Sequence, residues 1–359
     1  MLTPTQEYIK SVTFRIVVLA IAVLLLPVVL CLSISVGAAS VSIRDTVAIL
    51  CGFETEPRLA QIIMNIRLPQ ALTAIVAGAG LAISGATMQA VLRNPLASPF
   101  TLGISNAAAF GAALVLVFGA GSMMVQENML TKFGFPISLA RSSVALGAFV
   151  FSMLTTCIIL LLSQLRGTRS ETIILIGVAL GSLFSAGLMF LQYMVDETRL
   201  ASIVYWTFGD TARATWGGLL LMTLGVVPIS AFFLYQSWNY NAMIFGEETA
   251  LGLGVPVRRL RIGTMVLASL QTAILVSVLG IIGFVGLVVP HLARLAIGSD
   301  YRFLLPCSLV FGALLLLFAD TSARLILVPR ILPVSILMAF IGVPIFLTLL
   351  LGKRGSSSC

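Results

Sequence analysis

Charge is scarce in this chain of 359 residues. Asp, Glu, Lys and Arg make up 9% of it, against about 25% in a soluble globular protein, which excludes an ordinary water-soluble enzyme. Lysine occurs only as Lys10, Lys132 and Lys353. None follows a G-x-x-x-x-G-K-[ST] run, so the chain has no loop of the kind that cradles nucleotide phosphates. The single histidine cannot build a metal cluster with others, and neither H-E-x-x-H nor G-x-S-x-G occurs. Cysteine is sparse, scattered and odd in number (Cys31, Cys51, Cys157, Cys307, Cys359), without a C-x-x-C pair. That pattern excludes a disulfide framework and a zinc site. No catalytic set, no metal site and no cofactor of its own is expected, and nothing suggests nucleic-acid binding.

What is abundant is apolar: 59% of the residues are hydrophobic. Ten stretches are long enough to cross a bilayer, at roughly 16–38, 68–92, 100–120, 140–164, 172–195, 216–236, 262–283, 284–298, 303–319 and 331–351. The seventh and eighth form one apolar run that Gly283 and Gly286 are expected to break; unbroken, it gives nine spans. The first could be mistaken for a signal peptide, but its apolar run exceeds a signal core and reads as a retained span. The chain is therefore expected to be an all-α polytopic membrane protein, one transmembrane domain over residues 1–359. With the N-terminus inside, the inner segments hold twelve basic and five acidic residues, the outer segments nine and eight. Basic residues then concentrate inside, as the charge rule for membrane topology requires, and both termini are cytoplasmic.

The second span carries Ala77-Gly78-Ala79-Gly80 and Ser84-Gly85-Ala86. Small residues at this density let helices approach closely, so this span should be central. Gln89 on it is expected to make a helix–helix hydrogen bond. In the longest inner loop, about 238–261, the run Gly246-Glu247-Glu248-Thr249-Ala250-Leu251-Gly252-Leu253-Gly254 reads as a short helix. Its acids stand at the positive end and a glycine near its close.

Four runs carry a resemblance. They are Arg67-Leu68-Pro69; Arg93-Asn94-Pro95-Leu96-Ala97-Ser98-Pro99 with Leu102-Gly103-Ile104-Ser105-Asn106; Gly283-Phe284-Val285-Gly286-Leu287-Val288-Val289-Pro290-His291-Leu292-Ala293-Arg294; and Ala319-Asp320-Thr321-Ser322-Ala323-Arg324 with the last hairpin. Together they resemble the FecCD-like permease subunits of ABC importers for ferric siderophores, haem and cobalamin, from about Arg67 to Leu351. Within that motif set Pro95, Gly286, Pro290, His291 and Arg294 are the defining positions.

The resemblance implies a cobalamin-importer-like permease fold of about ten spans in a bacterial or archaeal cytoplasmic membrane. It implies a second permease copy, two ATPase subunits that bind the ATP and magnesium, and a periplasmic or lipid-anchored binding protein. It makes the 246–254 segment the ATPase-coupling element and places Asn94, Leu96, Ser170 and Glu171 at the cytoplasmic gate. Glu171 departs from a small polar residue and could pair with Arg169. Arg67 and Arg324 fall where the family meets acids of the binding protein; an arginine fork suits a carboxylate, and both are expected at the outer surface. Gln70 stands where the family often has a further arginine, and Asp210 departs from the family's W-x-x-G segment at Trp206–Gly209. An inverted repeat is implied as well, although the sequence does not display one. His291 reads as a hydrogen-bonded structural residue.

Two other classes stand beside this one. An ion-coupled secondary transporter would want acids at the bilayer midplane; only Asp320 comes close. A membrane enzyme would want a catalytic pair, and none occurs. The transported chelate is not legible; a ferric chelate is favoured, with cobalamin as the alternative.

Overall fold

The computed structural model describes residues 4–37, 41–53, 56–119, 139–165, 170–328 and 330–352. Among the described residues there are helices and turns and no strand. In chain order we label α1 Pro4–Ser35, α2 Ile43–Leu50, α3 Pro57–Leu92, α4 Ile104–Phe118, α5 Leu139–Leu165, α6 Ser170–Met194 and α7 Glu197–Thr207. There follow α8 Trp216–Tyr235, α9 Ser237–Ile244, α10 Glu247–Gly252, α11 Val257–Leu279, α12 Val285–Ile297, α13 Tyr301–Ile326 and α14 Val334–Gly352. Seven helices are long and apolar enough to cross a membrane, and three shorter apolar helices (α4, α12, α14) complete the expected ten.

α3 is the axis of the bundle. Its apolar window is 78% buried, against 11% for α1, because its glycines let neighbours reach its backbone. A Cβ at Gly78 would fall on the Gly312 carbonyl of α13, and one at Gly85 on the Gly286 carbonyl of α12. Gln271 of α11 donates to the Gly80 carbonyl across 2.9 Å. The close packing expected of this span is therefore present. The hydrogen bond expected of Gln89 is not: its amide is buried with no hydrogen-bond partner among the described residues, and Gln271 makes the interhelical bond instead.

The break between the seventh and eighth spans contains Gly283, as expected, but not Gly286. α11 ends at Gly280 (φ 81°), and α12 begins after Phe284 (φ 66°). Both residues sit in the left-handed region, which turns the chain out of helix. Gly283 lies inside the break, whereas Gly286 is already helical and serves the contact with Gly85. α12 therefore starts abruptly, as does α4 after Gly103 (φ 76°). α3 also starts earlier than expected, through a π-helical turn at Ile63–Arg67. The extra residue of such a turn frees a carbonyl, and the Trp216 indole N–H takes that of Met64 at 3.0 Å.

Candidate functional site

Two ends of the bundle carry polar structure; we call them the loop end and the arginine end. At the loop end, α10 forms as its local signals require. Gly246 (φ 115°) and Gly254 (φ 83°) bracket it, and Glu247 and Glu248 stand in its first turn. Ala250 is fully buried, while Leu251 and Leu253 are 58% and 67% exposed. The short helix is thus seated on one side and offers apolar side chains on the other. Its seat is an ion pair from Glu247 to the buried Arg261 of α11, whose Nε donates to the Val91 carbonyl of α3 at 3.0 Å. Glu247 is therefore an anchor of the loop rather than a free docking acid.

α9 carries a second junction at this end, which sequence reasoning missed. Asp300 caps α13 through the Arg302 N–H and faces the Arg302 guanidinium at 2.6 Å and Arg15 of α1 at 3.4 Å. Asn241 of α9 donates to Asp300 Oδ1 at 2.8 Å and accepts from the Tyr301 N–H at 2.8 Å. The Arg302 guanidinium lies 4.5 Å from the centroid of the Trp238 ring. Burial disfavours the Asp300 anion, but the bonds from Arg302 and Asn241 outweigh it and hold its carboxyl at about 2. An Asp two residues before an Arg at a helix start is the signal that was available.

The α3–α4 turn lies at the same end. Arg93 adopts a left-handed conformation (φ 48°) that stops α3, and the Asn94 side chain accepts from the Leu96 N–H at 2.8 Å. Pro95 and Leu96 are exposed. Leu96 lines a cleft of about 260 Å³ with Phe100, Phe284, Leu287 and Phe346; Ser105 and Thr272 are among its few polar groups. Of the expected gate residues, Ser170 and Glu171 begin α6, half-buried and exposed respectively. The Arg166–Arg169 turn, and with it the pairing of Glu171 with Arg169, lies outside the described residues. In α12, Pro290 is buried, His291 is half-buried, and Arg294 donates to the Tyr301 hydroxyl at 3.2 Å.

At the arginine end the structure corrects the expectation of exposed side chains. Arg67 and Arg324 are 5% and 7% exposed, because the last turn of α1 lies over them. Arg67 donates to the carbonyls of Ile34 (2.8 Å) and Ser35 (2.9 Å). Arg324 donates to the Val36 carbonyl at 3.2 Å and to Ser33 Oγ at 2.7 Å. Cations at a helix C-terminus satisfy carbonyls that have no partner within the helix. Arg324 also pairs with the buried Asp320 at 3.0 Å. Gln70 donates to Asp320 Oδ1 at 2.8 Å, and Thr211 bonds the same oxygen. Beside them, burial and then the nearby Asp320 push the Asp210 carboxyl above its ordinary range, against its bond from the Ala212 N–H.

A bundle with this axis, two abruptly started half-length helices and a seated apolar loop matches a known family. The model of the FecCD transport family matches residues 24–352. The chain belongs to the FecCD family. It is 45% identical over 343 residues to an ABC transporter permease protein of Methanocaldococcus jannaschii, covering 95% of each chain. It is 38% identical to the hemin transport system permease protein of Yersinia pestis, covering 93% of this chain and 96% of that one. It is 37% identical to the vitamin B12 import system permease protein of Vibrio parahaemolyticus, covering 81% and 82%. A solved metal-chelate type ABC transporter in an inward-facing conformation superposes with a TM-score of 0.79 at 33% identity, covering 93% of this chain and 99% of that one. This FecCD chain is thus a multi-pass membrane permease of the ABC importer class, with the all-α fold the resemblance implied.

Proposed function

We propose that this permease imports a ferric chelate, a siderophore complex or haem, as a homodimer powered by two separate ATPase subunits. Cobalamin is the alternative cargo. The observation that carries the coupling half of this reading is α10, bolted to the bundle through Glu247 and Arg261 while Leu251 and Leu253 face outward. A rigidly seated apolar projection suits transfer of force from a partner, and truncating or charging its apolar anchors should remove the partner. The relatives named for hemin and vitamin B12, and the metal-chelate transporter, support a bulky chelate as cargo. The apolar cleft by Phe100 and Phe284 suits a pathway that offers such cargo little polar grip.

On this reading the loop end and both termini are cytoplasmic, and ATP and magnesium bind the ATPase subunits alone. The binding protein docks at the arginine end around Arg67, Gln70 and Arg324. Because those guanidiniums are occupied by carbonyls of α1, a carboxylate of the binding protein meets them only if that last turn shifts. The test is uptake by proteoliposomes holding the chain, its cognate ATPase and the binding protein. Hemin, a ferric hydroxamate siderophore and cyanocobalamin are offered in parallel. ATP-dependent accumulation of an iron species supports the proposal, of cyanocobalamin only the alternative; none with any cargo overturns both.

A further inference from the structure

α13 carries a polar junction at each end of the bundle. Its start is the Asp300 junction and its far end holds Asp320 and Arg324. The 24 residues from Asp300 to Arg324 correspond to about 36 Å at 1.5 Å per residue, the depth of a membrane. At the far end α13 is bonded to α3 through Gln70, to the segment before α8 through Thr211 and to α1 through Ser33 and Val36. At its start it is bonded to α9, which leads directly into α10. Asn241 bridges the two there: it gives its amide hydrogen to the Asp300 carboxylate and takes the Tyr301 N–H with its oxygen. Ring contact between Tyr240 and Tyr301, with centroids 5.9 Å apart, lies beside it.

We propose that Asn241 is a positioning residue of transport: it joins the ATPase-contacting loop to the start of α13, so that movement of α9 and α10 is passed along α13 to the arginine end. This rests on the reading of α10 as the ATPase contact and of the chain as a homodimer. The two bonds fix α9 against the helix start in both translation and rotation. A single bond or an apolar contact would fix neither. Asparagine suits the place because it donates to a carboxylate and accepts from a backbone N–H with one planar group.

The experiment uses the full complex with its ATPase in nanodiscs. The native cysteines are replaced, and one spin label is carried on Leu325→Cys, at the exposed far end of α13. The distance between the labels of the two copies is measured by pulsed electron paramagnetic resonance, without nucleotide and trapped with ATP and vanadate. With Asn241 present, trapping should shift that distance. Asn241→Asp sets a second carboxylate against Asp300 and should cut the shift to a third or less while the ATPase still co-purifies. Exchanging the pair, Asn241→Asp with Asp300→Asn, restores the bond between the two side chains and that from the Tyr301 N–H but takes the carboxylate from Arg15 and Arg302; where Asp300→Asn alone keeps the shift, the exchange should recover it. A detergent half-life of Asn241→Asp equal to that of the unsubstituted chain separates lost transmission from a loosened fold. A full shift in Asn241→Asp, failure of the exchange to rescue where Asp300→Asn alone keeps the shift, or no shift with Asn241 present overturns the proposal. Leu251→Arg separates the underlying reading: if it leaves ATPase binding intact, α10 is not the contact, whatever the labels report.

Discussion

Removing Arg324 should destabilise the permease more than any surface change at the same end. Asp320 is 1% exposed, and the Arg324 guanidinium pairs with it at 3.0 Å. Removing one partner of a buried ion pair costs about 3–5 kcal/mol, because the remaining charge stays buried. Arg324→Ala also forfeits the bonds to Ser33 and Val36, each worth about 1 kcal/mol net. Two features reduce the total. Gln70 and Thr211 still donate to Asp320, and the carboxylate can take up a proton. Even about 2.7 kcal/mol, if it appears wholly in the unfolding barrier, shortens the lifetime about 100-fold. The assay is the half-life of monodisperse protein in detergent at fixed temperature, since membrane proteins of this size unfold irreversibly and their stability is read as a rate. We expect a half-life about 10- to 100-fold shorter. Asp320→Asn in the same chain should recover most of the loss, leaving only that of the α1 contacts. A half-life within twofold of the unsubstituted chain, or no recovery with Asp320→Asn, refutes the reasoning.

The purified chain alone should hydrolyse no ATP, since it lacks a phosphate-binding loop; turnover should appear on adding the ATPase, and robust hydrolysis by the chain freed of contaminants counts against the permease reading. Leu251→Arg should abolish ATPase co-purification while leaving the detergent half-life unchanged, because the side chain is exposed. Glu247→Arg should lower both, because it leaves Arg261 buried beside a like charge; equal behaviour of the two variants would contradict the anchoring role. Asp300 is held at about 2, below its ordinary 3.8. A depressed acid contributes stability that is full above the unfolded value and lost as pH falls through the folded one. The α1–α9–α13 junction should therefore hold at pH 5 and weaken between about 3.8 and 2. The Trp238 emission is the readout, in a chain with Trp206 and Trp216 replaced by Phe, and a transition centred near pH 6 would contradict it.

What was legible beforehand was what local chemistry decides. The ten apolar segments follow from composition and length, and α10 follows from two acids and two bracketing glycines within nine residues. The centrality of α3 follows from its glycines, since each removes a side chain where a neighbouring backbone must pass. The break before α12 was legible at Gly283, whereas Gly286 was also taken for a breaker because only the tertiary contact assigns it to packing with Gly85. The Asn241–Asp300 junction was missed because its partners lie 59 residues apart in sequence, and an asparagine in a loop gives no sign of what it will bond.

The arginine end shows the same limit and resolves a departure noted in the sequence. Arg67 and Arg324 were read as exposed because each stands at a span end, where a long cation ordinarily reaches water. Their burial depends on the last turn of α1 arriving from more than thirty residues away in one case and nearly three hundred in the other. Gln70, which looked like a docking charge lost, has its own task there. Its amide satisfies Asp320 at 2.8 Å from a site only 5% exposed. An arginine at that position would bring a third guanidinium beside Asp320, where Arg67 is already set against Arg324 and the neighbouring Asp210 carboxyl is pushed toward its neutral form. Neutral glutamine supplies the hydrogen bond without the uncompensated charge, which is the costlier thing to bury. The glutamine therefore fits an end of the bundle that α1 covers, where its amide is held by Asp320.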